Sequence, residues 1–217
     1  MIRAVIFDMD GVLIDTEKYL NIFWRQAAKE YGFDMTKEHA LLIRSLAGKY
    51  AGPKLKELYG DSFDYEKIRA RRKELMRQHI EQSGVEKKHG VDELLKYLKE
   101  NGYKIAVATA TDLKRTRKYL EEIGVFHYFD KIVCATMVEN GKPMPDIYLY
   151  ACQQIGEEPK NCLAVEDSPN GILSATRAGC PTIMVPDLTE PEEEVLKILH
   201  AKAGNLVDII KILEKEI

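Results

Sequence analysis

The chain has 217 residues, 45% hydrophobic and 31% charged, with 32 basic and 35 acidic side chains and a formal charge of −3. That near-neutral balance leaves no electrostatic footprint for nucleic acid, and no apolar run approaches the about 18 residues that cross a bilayer. Length and composition predict a cytoplasmic, globular chain, built as one large domain or as one domain carrying a smaller insertion; a monomer is the expected state.

Residues 2–7 (IRAVIF) are apolar and rich in β-branched side chains, which predicts a buried strand stopping at the Asp8-Met9-Asp10-Gly11 turn. Asp8 and Asp10 interrupt the N-terminal apolar stretch, which argues against a signal peptide. Residues 16–85 carry helical patterns, among them 19–32 and 65–80, and no strand pattern. In the second of these, Ile68, Leu75, Met76 and Ile80 share one face. A block of helices after the first strand predicts a small helical bundle, 16–85, inserted into a core formed by 1–15 and 86–217. The basic run Arg69, Arg71, Arg72, Lys73 and Arg77 reads as a solvated helix face rather than a phosphate grip.

Strands and helices then alternate. The strand pattern of 104–109 (KIAVAT) precedes a helix over 112–124, with Leu113, Tyr119, Leu120 and Ile123 at helical spacing. Gly124 suits a left-handed position just past its end. A strand at 131–135, a helix at 146–155, a strand at 162–167, a helix near 170–178 and a strand within 181–186 follow. An amphipathic helix runs from about Leu206. Short apolar strands alternating with helices predict an α/β class, a doubly wound, Rossmann-like parallel sheet covered on both faces. Cys134, Cys152, Cys162 and Cys180 lack metal-ligand spacing and read as small buried apolar residues. None of the five histidines sits in a metal-binding array.

In an open parallel sheet, ligands sit beyond the carboxyl ends of the strands. The first strand ends on Asp8 and Asp10, the second on Thr109-Ala110-Thr111, and the fourth on Glu166-Asp167-Ser168; the loop after the third carries Lys142. Carboxylates crowded together repel unless neutralised, and hard oxygen donors suit Mg²⁺. An ammonium and a hydroxyl suit the remaining oxygens of a phosphoryl group. Each stretch taken singly also has an ordinary reading as a turn, a loop or a helix cap; their order at successive strand ends is what points to a phosphoryl site.

The stretches 7–17 (FDMDGVLIDTE), 108–111 (ATAT), 141–148 (GKPMPDIY) and 165–179 (VEDSPNGILSATRAG) resemble the four signature motifs of the haloacid dehalogenase superfamily. They are most similar to its phosphatase and β-phosphoglucomutase-like branch, whose small helical cap matches the position and size of 16–85. The resemblance covers essentially the whole core. It implies a Mg²⁺-dependent phosphatase acting on a small phosphorylated metabolite, a sugar phosphate by expectation, through an aspartyl-phosphate.

Carried over residue by residue, Asp8 is the expected nucleophile and Asp10 the general acid and base. Thr109 and Lys142 are expected to hold the phosphoryl oxygens, helped by the backbone N–H groups of Met9 and Asp10. The implied metal ligands are Asp8, the backbone carbonyl of Asp10, Asp167 and Glu166, the last directly or through water. Substrate contacts are assigned to Thr16, Lys49, Thr109, Ala110 and Lys142. Trp24 is assigned to packing within the cap rather than stacking on a sugar. An acid at position 10 argues against dehalogenation, because a halide needs no proton to leave.

Two alternatives remain. A β-phosphoglucomutase-like phosphomutase resembles DTxxYH and GxSR where this chain has Leu20 and Ala51, so the residues that close the site and grip a distal phosphate are replaced. Lys49 cannot reproduce a bidentate guanidinium. A non-catalytic phospho-receiver module also gathers aspartates, a hydroxyl and a lysine, but its acceptor lies on a middle strand and it has no helical insertion.

Overall fold

The computed structural model describes residues 1–215. Six parallel strands form one sheet: β1 (Ala4–Phe7), β2 (Lys104–Thr109), β3 (Lys131–Cys134), β4 (Cys162–Glu166), β5 (Thr182–Met184) and β6 (Ala201–Lys202). Their spatial order is β3-β2-β1-β4-β5-β6. The chain winds outward from β1 in one direction, then returns to β1's other edge. A crevice therefore opens beyond the carboxyl ends of β1 and β4, where the winding reverses. Register brings Phe7 level with Val107 on one side and Val165 on the other, so the residues that follow each strand start at the same height.

Both faces of the sheet are covered, which is why the strands read as continuous apolar runs. Val5, Phe7, Ile105, Val107, Leu163 and Val165 face one cluster, with α5 (Val91–Glu100), α6 (Leu113–Glu122) and α10 (Leu206–Glu214) packed over it. The alternate positions Ala4, Ile6, Ala106, Ala108 and Ala164 face the other, under α7 (Asp146–Ile155) and α8 (Pro169–Arg177). The alanines on that face leave room for α7, whose Ile147, Tyr148 and Ala151 are fully buried there. All four cysteines are buried and free, as their spacing suggested. A four-residue helix, α9 (Glu193–Leu196), lies between β5 and β6.

Helices α1 (Glu17–Glu30), α2 (Lys37–Leu42), α3 (Gly48–Tyr59) and α4 (Tyr65–Ser83) lie between β1 and β2 in sequence and hold their own apolar cluster, centred on Leu55, Phe63 and Ile68. Side-chain caps start α2 and α4: the Thr36 hydroxyl accepts from His39 N–H and the Asp64 carboxylate from Lys67 N–H. The two passages between these helices and the sheet region are tied to each other. Asp15 N–H donates to the Glu86 carbonyl at 2.8 Å and Lys88 N–H to the Leu13 carbonyl at 3.0 Å. Lys18 bridges Asp15 and Glu86 at 2.6 Å each. Met76 and Ile80 of α4 belong to the sheet's cluster rather than the helical one. Among the described residues no helix is long and apolar enough to cross a membrane.

Candidate active site

The turn after β1 presents Asp8 and Asp10 into a cavity of about 310 Å³ between the sheet's carboxyl edge and helices α1–α4. The Asp8 carboxylate is buried and receives a hydrogen bond from the Lys142 ammonium at 2.6 Å. Burial, then the neighbouring Glu166 and Asp10 charges, push it up to about 7 against the pull of Lys142. Lys142, itself 1% exposed, donates equally to Glu166 at 2.6 Å. Burial would lower the Lys142 ammonium, but Asp8 and Glu166 together hold it above its usual range.

Asp10 is fixed from two sides. One carboxylate oxygen accepts from the Thr16 hydroxyl at 2.6 Å and the other from the Thr111 hydroxyl at 2.8 Å. Thr111 N–H in turn donates to the Thr109 hydroxyl at 3.1 Å. The N–H groups of Met9 and Asp10 donate to nothing among the described residues, which leaves both free for an anion. Gly11, at φ +86°, sits where a Cβ would overlap the Asp167 carboxylate, so this turn needs a residue without one.

Beyond β4, ligand oxygens of Asp8, Glu166 and Asp167 lie within 4.8 Å of one another. Both Asp167 carboxylate oxygens are buried without a hydrogen-bond donor among the described residues. Burial raises this carboxyl well above its ordinary value, and Glu166 and Asp8 raise it further, although Arg44 opposes them. Orphaned, crowded, all-oxygen donors are what a hard divalent cation requires, so the residues fit Mg²⁺. Glu166 is differently placed. Its Oε1 already accepts from Lys142 and from the Tyr148 hydroxyl at 2.7 Å, and its Oε2 accepts from Asp167 N–H at 3.2 Å.

The inserted helices reach into this site through the segment joining α2 to α3. Arg44 is buried; it donates to the Asp167 carbonyl and the Thr189 hydroxyl at 3.0 Å each, and lies 3.7 Å from the Asp167 carboxylate. Ala47 N–H donates to the Lys142 carbonyl at 2.9 Å. Asn170 donates to the Arg44 carbonyl at 2.9 Å.

Two residues expected at the substrate are occupied elsewhere. Thr16 is buried with its hydroxyl on Asp10, so it orients a carboxylate rather than meeting a ligand. The Lys49 ammonium bonds Asn140 Oδ1 and the Glu139 carbonyl, clasping α3 to the loop that carries Lys142. Ala110 is exposed and lines the cavity, whereas Thr109 is wholly buried behind it. Trp24 packs in the helical cluster, stacked on Tyr65 at 5.7 Å, and one edge also reaches the cavity.

The basic run of α4 divides. Arg71 and Arg77 form a solvated, carboxylate-paired face as expected, but Arg69, Arg72 and Lys73 turn into the cavity. Sequence reasoning also passed over Glu17, Arg44 and Tyr148. Glu17 is 6% exposed, lines the cavity and has no donor among the described residues, and burial together with the nearby Asp167 raises it well above the carboxylate range. A lone arginine inside the apolar run LLIRSL was the available signal for Arg44. Tyr148 lay within the stretch GKPMPDIY itself.

Known proteins similar to this chain include phosphatases and a β-phosphoglucomutase. Hexitol phosphatase A of Escherichia coli is 31% identical over 206 residues, covering 92% of this chain and 91% of its own. A phosphorylated carbohydrates phosphatase of Thermotoga maritima is 32% identical over 181 residues, covering 83% of each chain. The crystal structure of β-phosphoglucomutase from Clostridium difficile superposes with a TM-score of 0.84 at 25% identity, covering 99% of this chain and 97% of that one. The profile of the haloacid dehalogenase-like hydrolases matches residues 5–185, from the first strand through the fifth, and the chain belongs to that family.

Proposed function

We propose that this protein is a Mg²⁺-dependent phosphatase that hydrolyses a small phosphorylated metabolite, a sugar or polyol phosphate, through an aspartyl-phosphate on Asp8. The observation that carries this reading is the meeting of Asp8 with Lys142 and with the two orphaned oxygens of Asp167, from three separate strand ends. Residues 16–85 act as a cap over that site, with their paired passages at 14–15 and 86–88 as the hinge.

In the first step an Asp8 carboxylate oxygen attacks phosphorus, the ester P–O bond breaks, and Asp10 gives its proton to the departing alkoxide. In the second, Asp10 takes a proton from water as that water attacks phosphorus; the acyl phosphate's P–O bond breaks, freeing inorganic phosphate and restoring Asp8. Lys142 lies against Asp8 throughout and offsets the charge that spreads over the phosphoryl oxygens, with the Met9 and Asp10 N–H groups as further donors. Thr16 and Thr111 keep Asp10 aimed at the leaving oxygen. Asp8 and Asp167, with the Asp10 carbonyl, would hold Mg²⁺, which supplies positive charge beside the phosphoryl oxygens when bound. Glu166, spent on Lys142 and Tyr148, anchors the lysine and would contribute negative charge beside the ion.

Support for a carbohydrate-like ester comes from the named activities of the two phosphatase relatives and from a cavity of about 310 Å³ beside Asp8 and Asp10, room for a small metabolite. The phosphomutase alternative has its own support in the β-phosphoglucomutase likeness, but Leu20 and Ala51 both line the cavity without a proton-carrying or charged group, and Lys49 is engaged elsewhere. Inorganic phosphate release from a panel of sugar and polyol phosphates tests the reading. Turnover that requires Mg²⁺, is silenced by EDTA and falls at least about 1,000-fold in Asp8→Asn is expected. Turnover by Asp8→Asn within tenfold of the parent would remove the nucleophile assignment.

A further inference from the structure

The cavity has a second charged wall that phosphoryl transfer at Asp8 does not use. Arg69, Arg72 and Lys73 of α4 and Arg115 from the first turn of α6 line it. The protein answers only part of this charge. Arg115 pairs with Asp112 at 2.7 Å, and Arg69 reaches the exposed Glu66 at 3.6 Å. Arg72 and Lys73 have no carboxylate partner among the described residues. The Arg72 Nε is buried without an acceptor, and its guanidinium carbon lies 5.1 Å over the Trp24 ring.

The contrast within one helix is informative. Arg71 and Arg77, on the outer face of α4, are satisfied by Glu30, Glu74 and Glu81, whereas Arg72 and Lys73, which face the cavity, are paired with no carboxylate among the described residues. Like charges gathered in a partly dehydrated space repel one another. Burial, then Arg115 and Arg69, push the Arg72 guanidinium down to about 10, and burial with the same neighbours lowers the Lys73 ammonium. The transferred phosphoryl group does not need this wall, because Lys142 already neutralises its site. Asp10 does not need it either, since two hydroxyls hold its oxygens. An anionic group on the ligand is the partner that completes the cluster, and a guanidinium stacked on an aromatic ring is well suited to a bidentate oxyanion.

We propose that Arg72, with Lys73, Arg69 and Arg115, forms a second anion subsite, and that the substrate is a phosphate ester bearing a second phosphate or a carboxylate remote from the ester cleaved. The inference rests on the phosphatase reading and narrows its substrate class. Because one wall of the subsite comes from α4 and the other from α6, the anion also bridges the cap to the sheet domain, coupling substrate binding to closure.

Binding to Mg²⁺-loaded Asp8→Asn protein, measured calorimetrically, tests the subsite without turnover. Matched pairs would be fructose 1,6-bisphosphate with fructose 6-phosphate, ribulose 1,5-bisphosphate with ribulose 5-phosphate, and 6-phosphogluconate with glucose 6-phosphate. In at least one pair the doubly anionic member should bind about 30-fold tighter or better. Adding Arg72→Met should reduce that preference to within about threefold while changing the singly anionic member's affinity less than threefold. Lys73→Met, which disturbs no packed ring, should reduce it about fivefold and guards against an Arg72 variant that misfolds.

No preference in any pair, or a preference that survives both substitutions, overturns the subsite. An equal loss for both members of each pair that disappears at high salt means electrostatic steering, and overturns it too. Product analysis of the parent enzyme keeps the two readings separate. No phosphate ester turned over would end the phosphatase reading, an isomerised ester in place of inorganic phosphate would make the enzyme a mutase, and neither changes what the binding pairs report.

Discussion

In the proposed mechanism Asp10 first gives a proton and then takes one at nearly the same point in space, so its carboxylate would have to stay put while its charge changes. Thr16 and Thr111 provide that constraint from segments far apart in sequence: Thr16 immediately precedes α1, and Thr111 follows β2. Removing one hydroxyl leaves the carboxylate present but free to rotate. Thr111→Val should lower kcat about 10- to 100-fold with KM within threefold, and Thr111→Ser should restore most of the loss. Equal kcat in the valine variant and the parent, measured by steady-state phosphate release, would show that Thr111 does not position Asp10. Thr111 was visible in ATAT as a strand-end hydroxyl. Its partner was not, because strand alternation says which face a side chain takes but not which neighbour it finds.

At the scale of elements, the close approach of α8 to the end of β4 sets the buried carboxylate network. The Ser168 hydroxyl caps α8 by accepting from Gly171 N–H at 3.1 Å, and Pro169 occupies its first turn. That turn lies so near β4 that a Cβ on Gly171 would overlap the Glu166 carboxylate, which is already committed to Lys142 and Tyr148. Gly171→Ala should therefore cost about 2 kcal/mol or more by urea denaturation and lower kcat as Lys142 loses its anchor. Gly102→Ala is the control. Gly102 also has a positive φ, +75°, but open space around it, so only about 1 kcal/mol and no kinetic change is expected. Comparable stability loss in the two variants would separate helix approach from the site.

Continuous apolar strands and the longer amphipathic helices announced themselves in the sequence, and Asp146–Ile155 has the predicted bounds. The two-residue β6 and four-residue α9 did not, because neither is long enough to display a period.

For the molecule as a whole, the site is a source of instability, and the proposed Mg²⁺ would relieve it. Asp8 is raised to about 7 and Asp167 and Glu17 well above their ordinary values, burial being the main cause for each. Their folded pKa values exceed the unfolded ones, so the folded state binds more protons than the unfolded state between about pH 4 and 7. Stability of the metal-free protein accordingly falls as pH rises through that interval and stays low above it. A cation bound on Asp8 and Asp167, as proposed, would reverse the sign by favouring the ionised forms. In EDTA, Tm should drop between pH 5 and pH 8. Millimolar Mg²⁺ should raise it by about 5 °C at pH 8 and little at pH 5. A Tm in EDTA that is flat across this range, or a Mg²⁺ effect larger at pH 5, would contradict the electrostatic account.

The order of strands and helices, and the presence of acid, hydroxyl and lysine at successive strand ends, were legible along the chain. Both follow from local causes: continuous apolar runs make buried parallel strands, and their ends fall at one edge of the sheet whatever the side chains there are. The direction in which α1–α4 present their side chains was not legible in the same way. Thr16 and Lys49 turn to neighbouring protein groups, Arg44 crosses to Asp167, and Arg69, Arg72 and Lys73 turn inward from a helix that reads as solvated. Each outcome depends on how the inserted helices dock on the sheet, a relation between segments far apart in sequence that no hydrophobic period encodes.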